Sequence, residues 1–306
     1  MNTIPVYIVL LSYNNTNDTI QCIKSLSELD YSNFKVIVIE NSENPEPFEE
    51  LKSSIINDSH NFNYTFLNED QFHQNITETL ICVKAKHNKG FSAGNNIALK
   101  YILNINDDDL LVWILNNDTV VLKDTLKNLV SDYLLKKDNI KLGIFGSKLM
   151  YYHEPNQIQA VGGNFIKYLY TSRHITSDND SSNIDYIVGA SMLVSKQFIV
   201  DVGLLSEDYF LYYEELDWVY RSEKKGYKID YCPYAIVYHK EGATIGSSSK
   251  NDKSEFSEIE LFKSRRIFVK KFYSLGIKYY ISSYALLLNR LRKGKFKLVK
   301  KLMKVI

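Results

Sequence analysis

Trp113-Ile114-Leu115-Asn116-Asn117-Asp118-Thr119-Val120-Val121 decides the reading of the fold. An apolar run of strand-forming residues stops abruptly at two amides and a carboxylate. A buried strand that delivers oxygen ligands at its carboxyl end is how an open α/β sheet builds a site for a charged ligand. A second stretch, Tyr212-Tyr213-Glu214-Glu215-Leu216-Asp217-Trp218, sets three carboxylates within four residues behind aromatic rings. Like charges beside low-dielectric rings raise at least one carboxyl pKa, a common preparation of a general base. The two stretches together predict an enzyme with a metal and a base.

Outward from that strand, the chain alternates. Residues 6–11 form a β-branched apolar run, followed by a polar turn and by Ile20, Ile23 and Leu26 at helical spacing. Residues 34–39 repeat the strand signal before Glu40-Asn41-Ser42, residues 80–84 offer a further strand, and residues 95–103 read as a helix leading into the strand at 110–115. This alternation predicts a largely parallel sheet covered on both faces. Residues 57–79, polar and without period, read as a surface insertion at the sheet edge. Beyond Ile144, the Gly162-Gly163 and Gly189-Ala190 pairs predict short strands and tight turns in an antiparallel portion, and the polar stretch 176–183 reads as a loop able to move.

The 306 residues, 45% of them hydrophobic, suffice for one large domain with an appendage, and disorder is not expected. The net charge of +1 conceals a division: residues 255–306 carry 14 Lys and Arg against three Glu, a local +11, which leaves −10 for the rest. The two parts are expected to meet different partners. Cys22, Cys82 and Cys232 are too widely spaced for a metal site and uneven in number for a disulfide framework, so they read as structural residues of a reducing compartment. The first apolar stretch has no basic start and is too short for a signal peptide. A cytoplasmic location follows as an expectation, with no nucleic-acid partner.

Residues 242–254 form a Gly/Ser/Lys linker that closes a main domain at 1–242. Past it, Ile259, Phe262, Ile267, Phe268 and Phe272 recur at helical spacing among Lys and Arg; residues 277–288 are more apolar but shorter than the roughly 20 residues a membrane span needs; residues 293–304 resume the basic amphipathic pattern. Residues 255–306 therefore read as a basic helical tail. It either caps the domain or lies on an anionic membrane surface, peripheral on its inner face.

Five features in order, Ser12-Tyr13-Asn14, Glu40-Asn41-Ser42, Asn88 to Asn96 with Gly90 and Gly94, Asn116-Asn117-Asp118, and Glu214-Glu215-Leu216-Asp217, give the chain its resemblance. Over residues 4–272 it resembles the inverting glycosyltransferases of family 2, and most closely their rhamnosyltransferase-like branch. The resemblance implies a GT-A type, Rossmann-like, mostly parallel sheet flanked by helices, with a C-terminal helical extension. It implies a nucleotide-diphosphate sugar donor, dTDP-rhamnose or a UDP-hexose, and a glycan or lipid-linked acceptor in cell-surface polysaccharide synthesis. Ser12, Tyr13, Asn14, Glu40, Asn41, Asn88, Gly90, Asn95, Asn116 and Asn117 would then face the donor. Asp118 and His239 would bind Mn²⁺ or Mg²⁺.

The same resemblance assigns the base to Glu215, where the family usually has Asp, with Glu214 and Asp217 as alternatives. Glu40 likewise stands where Asp is usual. Gly189-Ala190-Ser191-Met192 resembles the family's small-residue stretch beside the acceptor, and Trp218 and Arg221 would either line that side or simply pack. Two other readings remain beside it: a catalytically silent nucleotide-sugar-binding scaffold, and a sugar-1-phosphate nucleotidyltransferase. The second would carry a Gly-rich basic loop where this chain has Tyr13-Asn14-Asn15.

Overall fold

The computed structural model describes residues 3–57, 61–73, 76–240 and 254–306. The expected linker, apart from Ser254, lies outside them. The first half runs β1 (Val6–Ser12), α1 (Thr16–Ser27), β2 (Phe34–Glu40), α2 (Glu46–Asn57), β3 (Tyr64–Asn68), β4 (Leu80–Lys84), α3 (Phe91–Leu103), β5 (Leu111–Asn116), β6 (Thr119–Val121) and α4 (Thr125–Lys137). The second half adds β7 (Leu142–Tyr151), β8 (Ile158–Ala160), β9 (Gly162–Ile166), β10 (Thr171–Ile175), β11 (Ser191–Ser195), α5 (Lys196–Val202), α6 (Glu214–Glu223), β12 (Lys228–His239), α7 (Glu255–Phe272), α8 (Ile277–Arg292) and α9 (Phe296–Leu302).

Among the described residues, the main sheet has ten strands in the order β3-β4-β2-β1-β5-β11-β7-β12-β6, with β8 paired to β7; β9 and β10 form a separate hairpin. The strands from β3 to β5 are parallel, and β11 enters antiparallel between β5 and β7. The mixed second half therefore matches the expected antiparallel addition. Successive strand side chains point to opposite faces, so Ile8 and Leu10 join one core with α1, α2 and α4 while Val9 joins the other with α3, α5 and α6. This two-sided burial is why the parallel strands read as continuous apolar runs.

Two expectations are corrected, and a third stretch is described more closely. The stretch 57–79 is not only an excursion: Tyr64–Asn68 is a parallel edge strand on β4. Its half-exposed residues lack the buried run by which the inner strands were recognised. The helix expected over 95–103 starts at Phe91, capped by Gly90. The stretch 176–183 holds a 3₁₀ turn at Asp178–Asn183, whose Asp178 receives hydrogen bonds from Lys148 at 2.6 Å and Tyr231 at 3.0 Å.

The tail is firmly joined to the rest. Phe268 and Val269 of α7 and Tyr279 of α8 belong to the same core as α3, α5 and α6. Arg265 of α7 is 1% exposed and has no carboxylate among its hydrogen-bond partners in the described residues. Its guanidinium donates to the Leu169 carbonyl and to the hydroxyls of Ser282 and Ser283 and lies over the Tyr279 ring, 4.8 Å from its centroid. One buried cation thus ties α7, α8 and the β9–β10 turn together.

Candidate active site

A cavity of about 650 Å³ opens at the carboxyl ends of β1 and β5. The chain leaves β1 towards β2 on one side and returns to β5 on the other, which makes this the topological switch point of the sheet. Its volume suits a ligand of ordinary small-molecule size. Tyr13 enters from the end of β1, Asn41 from the end of β2, Asn88 and Gly90 from the approach to α3, and Asn116, Asn117 and Asp118 from the turn between β5 and β6.

That turn is held tightly. Thr119 Oγ1 donates to the Asn116 carbonyl at 2.7 Å, and Asn117 Nδ2 donates to Thr19 Oγ1 on α1 at 2.9 Å. Asp118 Oδ1 lies 3.1 Å from His239 Nε2, at the end of β12. Burial alone would raise the Asp118 carboxyl, but His239, hydrogen bonding and Lys240 together hold it below its ordinary value. His239 Nδ1 lies 2.8 Å from Gln159 Oε1. In the tautomer that donates this proton to Gln159, the Nε2 lone pair faces the Asp118 carboxylate. Two such acceptors stay close when a positive charge accompanies them, either a proton on the ring or a divalent cation.

The donor set therefore fits a cation such as Mn²⁺ that takes one carboxylate and one imidazole from the protein and its other ligands from a phosphate-bearing molecule and water. Among the described residues, no cluster of three or more His, Cys, Asp or Glu side chains is arranged to hold a metal without such help.

The facing wall is built differently. Tyr212 and Tyr213 both adopt left-handed conformations, with φ of 68° and 71°, immediately before α6. Neither is glycine, so the conformation costs free energy that the surroundings must supply. Ser264 Oγ on α7 donates to the Leu211 carbonyl at 2.6 Å, Tyr213 Oη donates to the Tyr170 carbonyl at 2.6 Å, and the Phe91 amide donates to the Phe210 carbonyl at 2.9 Å. Gly90 makes the last contact feasible: with φ of 91°, a Cβ there would meet the Phe210 carbonyl oxygen at 2.2 Å. The expected glycine signal thus serves close approach of two chain segments at the cavity edge.

This clamped loop presents Glu214 and Glu215 to the cavity from the first turn of α6. Desolvation, then the neighbouring Glu215, raise the Glu214 carboxyl well above its ordinary value, and one of its buried oxygens has no hydrogen bond among the described residues. Asp217 does not line the cavity. It is fully buried and engaged with Arg221 Nε at 2.5 Å, Lys271 Nζ at 2.7 Å and Tyr209 Oη at 3.1 Å, so it joins α6 to α7.

Several expected donor contacts stand elsewhere. Ser12, Glu40 and Asn95 are completely buried behind the cavity wall, and Asn14 is outside the lining. Ser12 accepts from Thr19 Oγ1, Glu40 Oε1 accepts from the Ser42 amide at 2.8 Å, and Asn95 donates back to the Phe91 carbonyl. In the Gly189 to Met192 stretch, Ser191 is structural, linked to Trp113 and Ser147, both at 2.8 Å. A Cβ on Gly189, by contrast, would meet nothing within 4 Å, which leaves open space on the cavity side. Trp218 packs in the core, donating to the Gly203 carbonyl, and Arg221 donates to the Val202 and Leu204 carbonyls, so both support the wall from behind.

Gln159, Arg173, His174, Phe256 and Leu261 also line the cavity and were not singled out from the sequence. They are isolated residues on short strands and on α7. Thr171-Ser172-Arg173-His174-Ile175 has no apolar/polar alternation, so nothing local marks the strand or the face that meets a ligand.

Residues 4–255 match the family described as "Glycosyltransferase like family 2", and the chain belongs to that family. A relative from Haloferax volcanii, "Low-salt glycan biosynthesis hexosyltransferase Agl10", is 23% identical over 165 residues, which cover 50% of this chain and 49% of the relative. The match thus spans about half the length of that curated protein. Among solved structures, GalNAc-T7 with UDP, GalNAc and Mn²⁺ superposes with a TM-score of 0.60 at 12% identity, over 88% of this chain and 48% of that one. TarS 1-349 of S. aureus superposes with a TM-score of 0.53 at 12% identity, over 92% and 68%. The fold is that of the GT-A glycosyltransferases, a mostly parallel sheet flanked by helices and followed by further C-terminal helices.

Proposed function

We propose that this family 2 glycosyltransferase moves a hexose from a nucleotide-diphosphate sugar to a hydroxyl group of a glycan or lipid-linked saccharide, in one step that inverts the anomeric carbon. One observation carries the reading: the Asn116–Asp118 turn with His239, and the Glu214-Glu215 pair, reach the same cavity from separate elements of the fold. The glycan-biosynthesis relative favours a hexose, and the neighbour that carries UDP and Mn²⁺ favours a nucleotide with a divalent cation. A UDP-hexose and dTDP-rhamnose are the donors we carry forward.

In this reading Tyr13, Asn41, Asn88, Gly90, Asn116 and Asn117 hold the donor, while Ser12, Glu40 and Asn95 keep their loops in shape from behind. Asp118 and His239 would hold Mn²⁺ or Mg²⁺, which supplies positive charge against the donor diphosphate. Glu215 accepts the acceptor hydroxyl's proton as the oxygen bonds to the anomeric carbon. The bond from that carbon to the diphosphate breaks, and its electron pair leaves with the nucleoside diphosphate. Burial, then its neighbour Glu215, push Glu214 towards its neutral form, which eases the crowding of like charge beside Glu215. Gly189 leaves room for the acceptor. An acceptor carried on a lipid accords with the basic tail, which brings the enzyme to a membrane surface.

Incubation with UDP-hexoses or dTDP-rhamnose, an acceptor, and Mn²⁺ or EDTA tests the reading. We expect release of nucleoside diphosphate that requires the cation, and a product whose anomeric proton coupling reports inversion. Donor binding without release would leave the silent scaffold, and pyrophosphate formation from a sugar phosphate would leave the nucleotidyltransferase.

A further inference from the structure

We infer that the outward face of α8 is a docking surface for an anionic lipid bilayer. Seventeen large apolar side chains are exposed among the described residues, and eight of them fall in residues 277–306. Elsewhere they are scattered, which is ordinary for a protein surface. On α8 they are ordered: Ile277, Ile281, Tyr284, Leu288 and Leu291 follow one another at intervals of four and three residues, with Tyr280 beside them. At 100° per residue these positions occupy an arc of about 100°, the width of an amphipathic helix's apolar face.

The opposite face of the helix is already used. Tyr279, Ser282, Ser283 and Leu287 are buried, with both serines held by Arg265 of α7. The exposed stripe is therefore not the inner surface of a displaced helix. It remains open while the helix is docked by its other side.

Charge selects the occupant. Residues 277–306 contain nine Lys and Arg and no Asp or Glu. Glu258 engages Arg290 and Lys295, and Glu255 engages Lys301, both from α7. Lys278 and Arg292 flank the stripe, and Lys293, Lys297, Lys300 and Lys304 continue past its end, all outside those ion pairs. A second copy of α8 laid on the stripe would bring cations against cations in either orientation, with no acid on this segment to relieve them. Little more than two heptads is also too short for a coiled coil of its own. Anionic headgroups meet both features: the stripe enters the interface and the cations remain among the phosphates. With 16 residues α8 spans roughly 24 Å, less than the hydrocarbon core, and no described helix is long and apolar enough to cross it. It would lie flat.

This differs from the basic amphipathic faces expected from the sequence. The apolar positions expected for α7 include Phe262 and Phe268, which are buried in the protein, so α7 is not the membrane helix. Instead α7 lines the cavity with Phe256 and Leu261 and holds α8 through Arg265.

Co-sedimentation of the full chain with phosphatidylcholine vesicles, with and without phosphatidylglycerol, decides the matter, and needs neither donor nor acceptor. Failure of the transfer reaction would leave its outcome untouched. We expect binding to the anionic vesicles alone, weakened by salt. Ile281→Glu/Leu288→Glu should weaken it at least about tenfold, and Lys293→Gln/Lys297→Gln/Lys300→Gln by about fivefold per removed cation. Both variants should keep the wild-type Tm and rate of nucleotide release. Wild-type binding by the double glutamate variant would overturn the inference, as would equal binding of the wild type to neutral vesicles. A wild-type dimer in sedimentation velocity that this variant converts to monomer, without vesicle binding, would assign the stripe to a second copy. If the glutamate variant fails to fold, undiminished vesicle binding by the lysine variant would overturn the inference.

Discussion

The two sides of the cavity differ in how they are held. On the side of β1 and β5, polar groups are met by near neighbours: Asn117 by Thr19, Thr119 by the Asn116 carbonyl, and Asp118 by His239, which keeps its carboxyl low. On the side of α6 and α7, two tyrosines stand in left-handed conformations and a buried glutamate is pushed towards its neutral form. The first side is assembled from groups close to one another and turns Asp118 and His239 towards the cavity. The second is held in shape by Gly90, Tyr170 and Ser264 from three other elements. Strain and an unfavourably placed carboxyl concentrate where we propose that the acceptor is activated, the pattern expected when function overrides local preference.

The largest expected effect lies on the strained side. Glu215→Gln should lower kcat by roughly 10²–10⁴-fold with donor affinity little changed, read from initial rates and a donor titration. A wild-type rate in that variant, with the loss appearing in Glu214→Gln instead, would move the base by one residue. On the opposite side, Asp118→Ala should reduce cation-dependent turnover by roughly 10²–10³-fold and weaken donor binding as well. Activity unchanged in this variant and insensitive to EDTA would remove the charged-ligand role from that half.

A smaller effect is expected from the support behind the strained wall. Arg265→Met removes the cation that joins the Leu169 carbonyl to α8, and kcat should fall by about tenfold as the tyrosine loop loosens. The donor's dissociation constant should stay constant, because that site is held independently. Equal loss of donor binding would mean that the two walls are not separate units. Donor titration by fluorescence or calorimetry makes the distinction.

The smallest effect concerns stability. A carboxyl whose folded pKa is raised takes up a proton on folding, so its contribution is full below the unfolded value of 4.5 and is lost as pH rises towards the folded value. Glu214→Gln should therefore raise Tm at neutral pH, with the gain disappearing below about pH 4.5. A gain that grows on acidification would contradict the burial argument. Scans across pH measure it directly.

Motifs confined to a few consecutive residues were legible in advance. Asn116-Asn117-Asp118 follows an apolar run, and Glu214-Glu215 opens a helix, so both are visible without knowing what faces them. Gln159 and Arg173 were not: each is a single polar residue on a short strand, with nothing nearby to distinguish a cavity position from solvent. Asp217 shows the reverse error. Within its motif it resembles the two glutamates, yet one further step around α6 turns it inward to Arg221 and Lys271.

The sequence by itself determined the alternation of strands and helices, the parallel core and the polar turn that ends β5. These follow from periodicity and from residues adjacent along the chain, which act wherever the segment lies. Only the tertiary structure decided that two acidic motifs nearly a hundred residues apart open into one cavity, that α7 forms a wall, and that α8 carries the exposed apolar stripe. Both α7 and α8 mix apolar and basic residues, so composition could not separate them. Which face is buried depends on what packs against it, and for α7 and α8 that partner comes from β9, β10 and α6, far away in sequence.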